Sequence, residues 1–314
     1  MILSVSRRTD IPNYYSEWFF NRIKDGYLYV RNPMNAHQVS KINISPDVVD
    51  CIVFWTKNPE PMISKLELLE QYQYYFQFTL TGYGRDIEPG LPDKKGRLIP
   101  VFQRLSEKIG KERVVWRYDP IIITDVYSKE YHLKAFREIA SRLNGYCTTV
   151  VISFVDLYTK IRKNMKDIKI VEEKPEDLIG LSSAIAEIAK SNGMEVVTCA
   201  EAIDLSSCGI KHGSCIDQKM VEKITGYPIH IKKDKNQRPE CGCVESVETG
   251  AYHTCLNGCI YCYANENNER VKKNTALYDI NSPILCSKIT KEDKVTERAV
   301  KSNREGQLSL FDLI

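Results

Sequence analysis

The stretch DCIVFWTKNP, residues 50–59, decides how the chain folds. Its run from Cys51 to Trp55 is apolar at every position rather than at alternate ones. A strand of that kind is buried on both faces, as in a parallel sheet covered on each side. Thr56, Lys57, Asn58 and Pro59 then end the run with polar and turn-forming groups, and a helix is predicted over 60–71. The same rhythm recurs upstream and downstream. Strands are predicted near 2–6 (ILSVS), 73–81 (QYYFQFTLT), 113–118 (RVVWRY), 149–155 (TVVISFV) and 194–200 (MEVVTCA), with helices near 14–25, 99–110, 128–144 and 175–192. In the last helix Leu178, Leu181, Ile185 and Ile188 recur at helical spacing. About six βα units in series predict an α/β domain over 1–204, built as a partial or complete parallel βα barrel; an open doubly wound sheet is the alternative.

In such folds the chemistry gathers at the C-terminal ends of the strands. The residues just past each run are therefore informative: Ser6-Arg7-Arg8-Thr9-Asp10, Thr56-Lys57-Asn58-Pro59, Thr79 with Thr81 and Tyr83, Arg117-Tyr118-Asp119-Pro120, Ser153 with Asp156, and Glu201. One solvated loop end means little, but the set predicts a polar rim around a site. Arg117, Asp119, Asp10 and Lys57 are the candidate catalytic residues on it, with Arg8 and Thr56 beside them.

The 314 residues are 43% hydrophobic and 27% charged with a formal charge of +3, an ordinary globular balance too near neutrality to indicate nucleic acid or membrane by itself. No apolar run reaches the length of a membrane span and no secretory signal opens the chain, so a soluble cytoplasmic protein is expected. Eleven cysteines are present, and seven of them (Cys208, Cys215, Cys241, Cys243, Cys255, Cys259 and Cys262) fall within one C-terminal stretch. Disulfides fit neither a reducing compartment nor an odd count, so thiolate ligands to metal are the better explanation. Residues 205–286 are accordingly read as a cysteine-rich metal-binding region packed on the barrel. Residues 287–314, charged and almost free of apolar side chains until their end, are read as a mobile tail.

The sharpest signal is Cys255-Leu-Asn-Gly-Cys259-Ile-Tyr-Cys262. Three thiolates at this spacing can wrap one loop around three corners of a [4Fe-4S] cube, leaving the fourth iron open to a small molecule. Gly258 suits the tight turn, and Tyr261 is placed to sit against the cluster or its ligand. The spacing, with an aromatic residue before the last cysteine, resembles the radical S-adenosylmethionine superfamily. That resemblance implies S-adenosylmethionine bound at the open iron and cleaved to a 5′-deoxyadenosyl radical. In the superfamily the motif follows the first strand, whereas here it follows every predicted strand, and no Gly-Gly-Glu element follows strand two. As a whole the chain resembles a bacterial domain-of-unknown-function family whose C-terminal cysteines are similar to that superfamily motif. The matching stretches are SRRTDIP at 6–12, FWTKNP at 54–59, WRYDPI at 116–121, CGC at 241–243 and CLNGCIYCYAN at 255–265.

Cys208, Cys215, Cys241 and Cys243 form a second candidate site, for an auxiliary [4Fe-4S] cluster or a structural zinc ion, with His212 or His253 as substitute ligands. The tail ends in Gln307-Leu308-Ser309-Leu310-Phe311. It resembles the short peptide that docks bacterial replication and repair proteins on the DNA polymerase sliding clamp, with Gln307, Leu308, Leu310 and Phe311 as anchors. Three functions follow as expectations. The first is a radical enzyme acting on an unknown substrate, linked to DNA repair. The second is a metal-stapled, nucleic-acid-associated protein recruited to the clamp without radical chemistry. The third is a barrel hydrolase or lyase using Asp10, Asp119 or His132.

Overall fold

The computed structural model describes residues 1–156, 159–162 and 164–305; the clamp-like anchors Gln307, Leu308, Leu310 and Phe311 lie outside them. The six expected strands are β1 (Ile2–Val5), β4 (Cys51–Thr56), β5 (Tyr74–Thr79), β6 (Val114–Ile121), β7 (Thr149–Phe154) and β8 (Glu195–Cys199). They pair in chain order, all parallel. Two short strands extend this sheet at its edges. The cysteine-rich region supplies both, β9 (Lys211–Gly213) beside β8 and β10 (Val247–Glu248) beside β1, each parallel to its neighbour. The result is an eight-stranded parallel sheet in the order β10-β1-β4-β5-β6-β7-β8-β9.

The helices are α1 (Ile11–Tyr14), α2 (Ser16–Asp25), α3 (Glu60–Ile63), α4 (Ile99–Ile109), α5 (Lys129–Leu143), α6 (Thr159–Arg162), α7 (Pro175–Ser191), α8 (Gln218–Thr225) and α9 (Asn268–Thr275). Their limits follow local chemistry. Ser128 caps α5 by accepting from the Tyr131 amide, and α2 stops at Gly26, whose φ of 74° is left-handed.

Both faces of the sheet are covered, which is why strands such as 51–55 carry no polar alternation. Leu3, Phe54, Phe76, Trp116 and Ile152 pack against Trp18, Phe19, Phe102, Phe136 and Ile185 of the helices. Trp116 stacks on Phe136 with ring centroids 4.7 Å apart; truncating a fully buried aromatic of this kind costs about 3–5 kcal/mol. The opposite face presents Ile2, Val53, Tyr75, Val115 and Val151. Here the cover is not helical layering but the cysteine-rich segment, through Cys215, Ile216, Val221, Ile229, Cys243 and Val244.

A second sheet, absent from the expectations above, joins β2 (Tyr27–Arg31) and β3 (Gln38–Asn43), antiparallel, to β11 (Lys294–Arg298), parallel to β3. This corrects the reading of 287–305 as a mobile tail. Arg31 binds Asp293 through two hydrogen bonds of 2.5 and 2.9 Å. Further on, Ser302 and Asn303 donate to Asp50, which also takes the N-terminal ammonium of Met1 at 2.7 Å. The segment is held by these polar and backbone pairings, not by apolar burial, so a composition-based reading misses it. Among the described residues no helix is long and apolar enough to cross a membrane.

Candidate functional site

At the C-terminal ends of β1, β4 and β5 the chain encloses a cavity of about 130 Å³. Ser6 to Asp10, Trp55 to Lys57 and Thr79 form one side. Cys255, Asn257 to Cys259, Tyr261, Cys262 and Asn265, from the loop after β10, form the other. The expected rim thus exists for the first three strands, and the cysteine loop closes onto it.

Asp10 fixes that closure. Its carboxylate accepts from Thr56 Oγ1 at 2.7 Å, the Lys57 amide at 2.8 Å, Asn257 Nδ2 at 3.0 Å and the Asn13 amide at 3.2 Å. The ends of β1 and β4 and the cysteine loop therefore meet on one buried side chain. Burial pushes the Asp10 carboxyl above its usual range against the pull of these donors. The loop is also fitted by its glycines. Gly258 turns with φ +67°, and a Cβ on Gly250 would lie 1.8 Å from Ser6 Oγ.

Beneath the cavity Glu88 is fully buried between two lysines. It accepts from Lys57 Nζ at 2.7 Å, from Thr81 Oγ1 at 2.9 Å, and from Lys94 Nζ and the Tyr261 hydroxyl. Lys57 also donates to the Tyr261 hydroxyl at 2.8 Å. Burial opposes ionisation of Glu88, but the two ammonium groups prevail and hold its carboxyl down to about 2. Burial likewise opposes the charge on Lys57, yet Glu88 outweighs it and the ammonium is kept protonated. Tyr261 is pushed far up by burial and so keeps its proton.

Cys255, Cys259 and Cys262 stand together on this lining. Cys255, Cys259 and Cys262 influence one another through charge, with burial the main force raising each thiol. Two polar atoms on the cavity lining have no partner: Thr9 Oγ1 and Asn265 Oδ1, on residues only 4% and 5% exposed. A buried polar atom without a partner costs about 1–3 kcal/mol.

The second cysteine group differs from expectation in one member. Cys208 packs beside α7, its thiol 3.5 Å from the Ile179 carbonyl, and does not reach the others. Cys199, at the end of β8, stands in its place with Sγ 2.9 Å from Cys215 Sγ. Cys243 and Cys241 lie next to Cys215, close enough for these thiols to act on one another electrostatically. Arg117 belongs to this group and not to the cavity, for its Nη1 donates to Cys215 Sγ at 2.8 Å while Asp119 grips the guanidinium on the other side. The candidate catalytic set is thereby divided: Asp10 and Lys57 line the cavity; Arg117 and Asp119 do not. His132 lies in α5 between the Tyr118 hydroxyl and the Ile122 carbonyl, both at 3.0 Å, apart from either carboxylate of the hydrolase expectation. His212 contacts Thr198 at 3.1 Å and His253 lies near Glu266.

Glu88, Thr9 and Asn265 carry weight that the sequence alone did not assign them. Glu88 sits in a turn-rich stretch, TGYGRDIEPG at 81–90, without periodicity to mark it as buried. Thr9 and Asn265 do lie inside stretches that were singled out, SRRTDIP and CLNGCIYCYAN.

No curated protein and no solved structure matches the chain at a significant level. Residues 2–264, from β1 through the cysteine loop, match the family model described as Domain of unknown function (DUF1848), and the chain belongs to that family.

Proposed function

We propose that the chain is a radical S-adenosylmethionine-type enzyme whose [4Fe-4S] cluster is held by Cys255, Cys259 and Cys262. The observation that carries this reading is the meeting of these three thiols, Cys255 and Cys259 buried and Cys262 half-buried, from one loop, in a cavity lined by the strand ends of a parallel sheet. The order of the strands supports this reading. β10 leads into the cysteine loop and lies at the sheet edge beside β1. The motif is late in the chain, yet its loop stands beside the end of the first strand. On this reading the sheet is the wall of a partial barrel.

With an iron left open, such a cluster supplies the electron that cleaves the sulfonium of S-adenosylmethionine. The chain's own part is to hold and to shield. Thr9 Oγ1 and Asn265 Oδ1 offer a hydroxyl and an acceptor to the amino and carboxylate groups of the methionine moiety. Lys57, kept charged by Glu88, places a cation beside Cys259 and stabilises its thiolate. Tyr261 and Trp55 exclude water from the cavity.

The experiment is an assay for 5′-deoxyadenosine from S-adenosylmethionine after purification without oxygen, with a chemical reductant. The wild-type chain is expected to form it and Cys259→Ala to form none. A wild-type preparation with an intact cluster but no 5′-deoxyadenosine would overturn the cofactor assignment.

A further inference from the structure

We infer that Cys199, Cys215, Cys241 and Cys243 form a second metal site, a closed tetrathiolate site for one zinc-class ion, independent of the cysteine cavity. The four thiols come from three separate segments: the end of β8, the loop after β9, and the Cys-Gly-Cys turn at 241–243. They converge on the face of the parallel sheet that the cysteine-rich segment covers. Cys199 Sγ lies 2.9 Å from Cys215 Sγ, and Cys243 and Cys241 stand close enough to act electrostatically on Cys215 and on each other. Ligands of one ion must pack this closely, whereas ligands of a cube sit on different irons. Two thiolates on a tetrahedral zinc stand about 3.8 Å apart, given Zn–S bonds of about 2.3 Å. Seating the ion thus opens the Cys199–Cys215 pair by about 1 Å, within reach of side-chain rotation.

The surroundings are those of a thiolate site. The Ile216 amide donates to Cys243 Sγ at 3.4 Å, and Arg117 donates to Cys215 Sγ at 2.8 Å. Such N–H···S bonds orient ligands and offset the two negative charges left by four thiolates on a dication. Tyr75 and Gln77 fix the Cys215 carbonyl at 2.7 and 2.9 Å. A Cβ on Gly242 would lie 2.6 Å from Ser214 Oγ, so the Cys-Gly-Cys turn packs closely on the Cys215 loop. A metal held by residues of β8 and of the covering segment would staple that segment to the sheet.

The test is metal analysis of the full chain expressed with zinc supplied and purified without oxygen. About one zinc per chain is expected beyond any iron. Cys199→Ser should lose it while iron and sulfide stay at the wild-type level, and Cys208→Ser should keep it. Zinc X-ray absorption on the wild-type chain, which needs no variant to fold, should show four sulfur neighbours at about 2.3 Å. Zinc retained in Cys199→Ser, zinc lost in Cys208→Ser, a Cys199–Cys215 disulfide, or iron and sulfide for two cubes would each overturn the assignment. Because iron is read separately, failure of the cluster reading and failure of this one are distinguishable.

Discussion

Glu88 shows how much of the site rests on single buried charges. It is one carboxylate shared by Lys57, Lys94, Thr81 and Tyr261. Removing one partner of such a buried set leaves the others uncompensated, at a cost of about 3–5 kcal/mol. Glu88→Gln is therefore expected to lower the unfolding free energy from denaturant titration by that amount, and an unchanged value would contradict the network. The pH dependence has a definite sign. Its carboxyl is held down to about 2 from 4.5, so its contribution is fully present above about pH 4.5. That contribution is lost as pH falls through the folded value near 2. Across that window the wild-type chain should lose stability faster than Glu88→Gln, measured by thermal unfolding at each pH. At this scale the sequence was partly legible. The cysteine spacing and the polar strand ends marked Cys255, Cys259, Cys262, Asp10 and Lys57 as site residues, because those side chains interrupt an apolar pattern. Glu88 was not legible, since its meaning comes from Lys57 at the end of β4, Lys94 in its own connection and Tyr261 in the cysteine loop, which only folding brings around it.

Among the elements, β10 is the smallest and the most consequential. Two residues, Val247 and Glu248, pair with Leu3 and Ser4, and Glu248 accepts from Ser4 Oγ at 2.7 Å and from the Arg7 amide at 3.1 Å. This edge sets the height at which the cysteine loop meets Ser6 to Asp10. Gly250 lies in that joint with no room for a side chain beside Ser6. Gly250→Ala is expected to displace the loop, costing about 1–3 kcal/mol and lowering iron incorporation below the wild-type level. Full iron content in Gly250→Ala would show that the joint does not position the cysteines. The central strands β4 to β8 were legible because both of their faces are apolar. β9 and β10 were not, being two or three residues long with no periodicity. β11 was missed for another reason: all five of its residues are exposed, so its pairing with β3 is carried by backbone hydrogen bonds that composition does not reveal.

Over the whole molecule, the parallel sheet separates two ends. The cysteine cavity lies at the C-terminal ends of β1, β4 and β5. Residues 287–305 return to the opposite end, where Ser302 and Asn303 meet Asp50 just before β4 and the Glu305 amide reaches the Pro228 carbonyl at 3.2 Å. If Gln307, Leu308, Leu310 and Phe311 dock on a sliding clamp, a chain ending at Gly306 should lose clamp binding; equal affinity would remove that proposal. The α/β class and its parallel sheet were legible from the repeated apolar run, polar end and helix. That the cysteine-rich region covers the second face of the sheet was not, because its apolar contacts are scattered among loops. The central claim concerns three of its thiols, and iron and acid-labile sulfide content measured on the chain purified without oxygen tests it most directly. The account expects a brown protein absorbing near ~400 nm with about four irons and four sulfides per chain, all lost in Cys259→Ala. A colourless protein containing zinc alone, or iron and sulfide unchanged in Cys259→Ala, would contradict it.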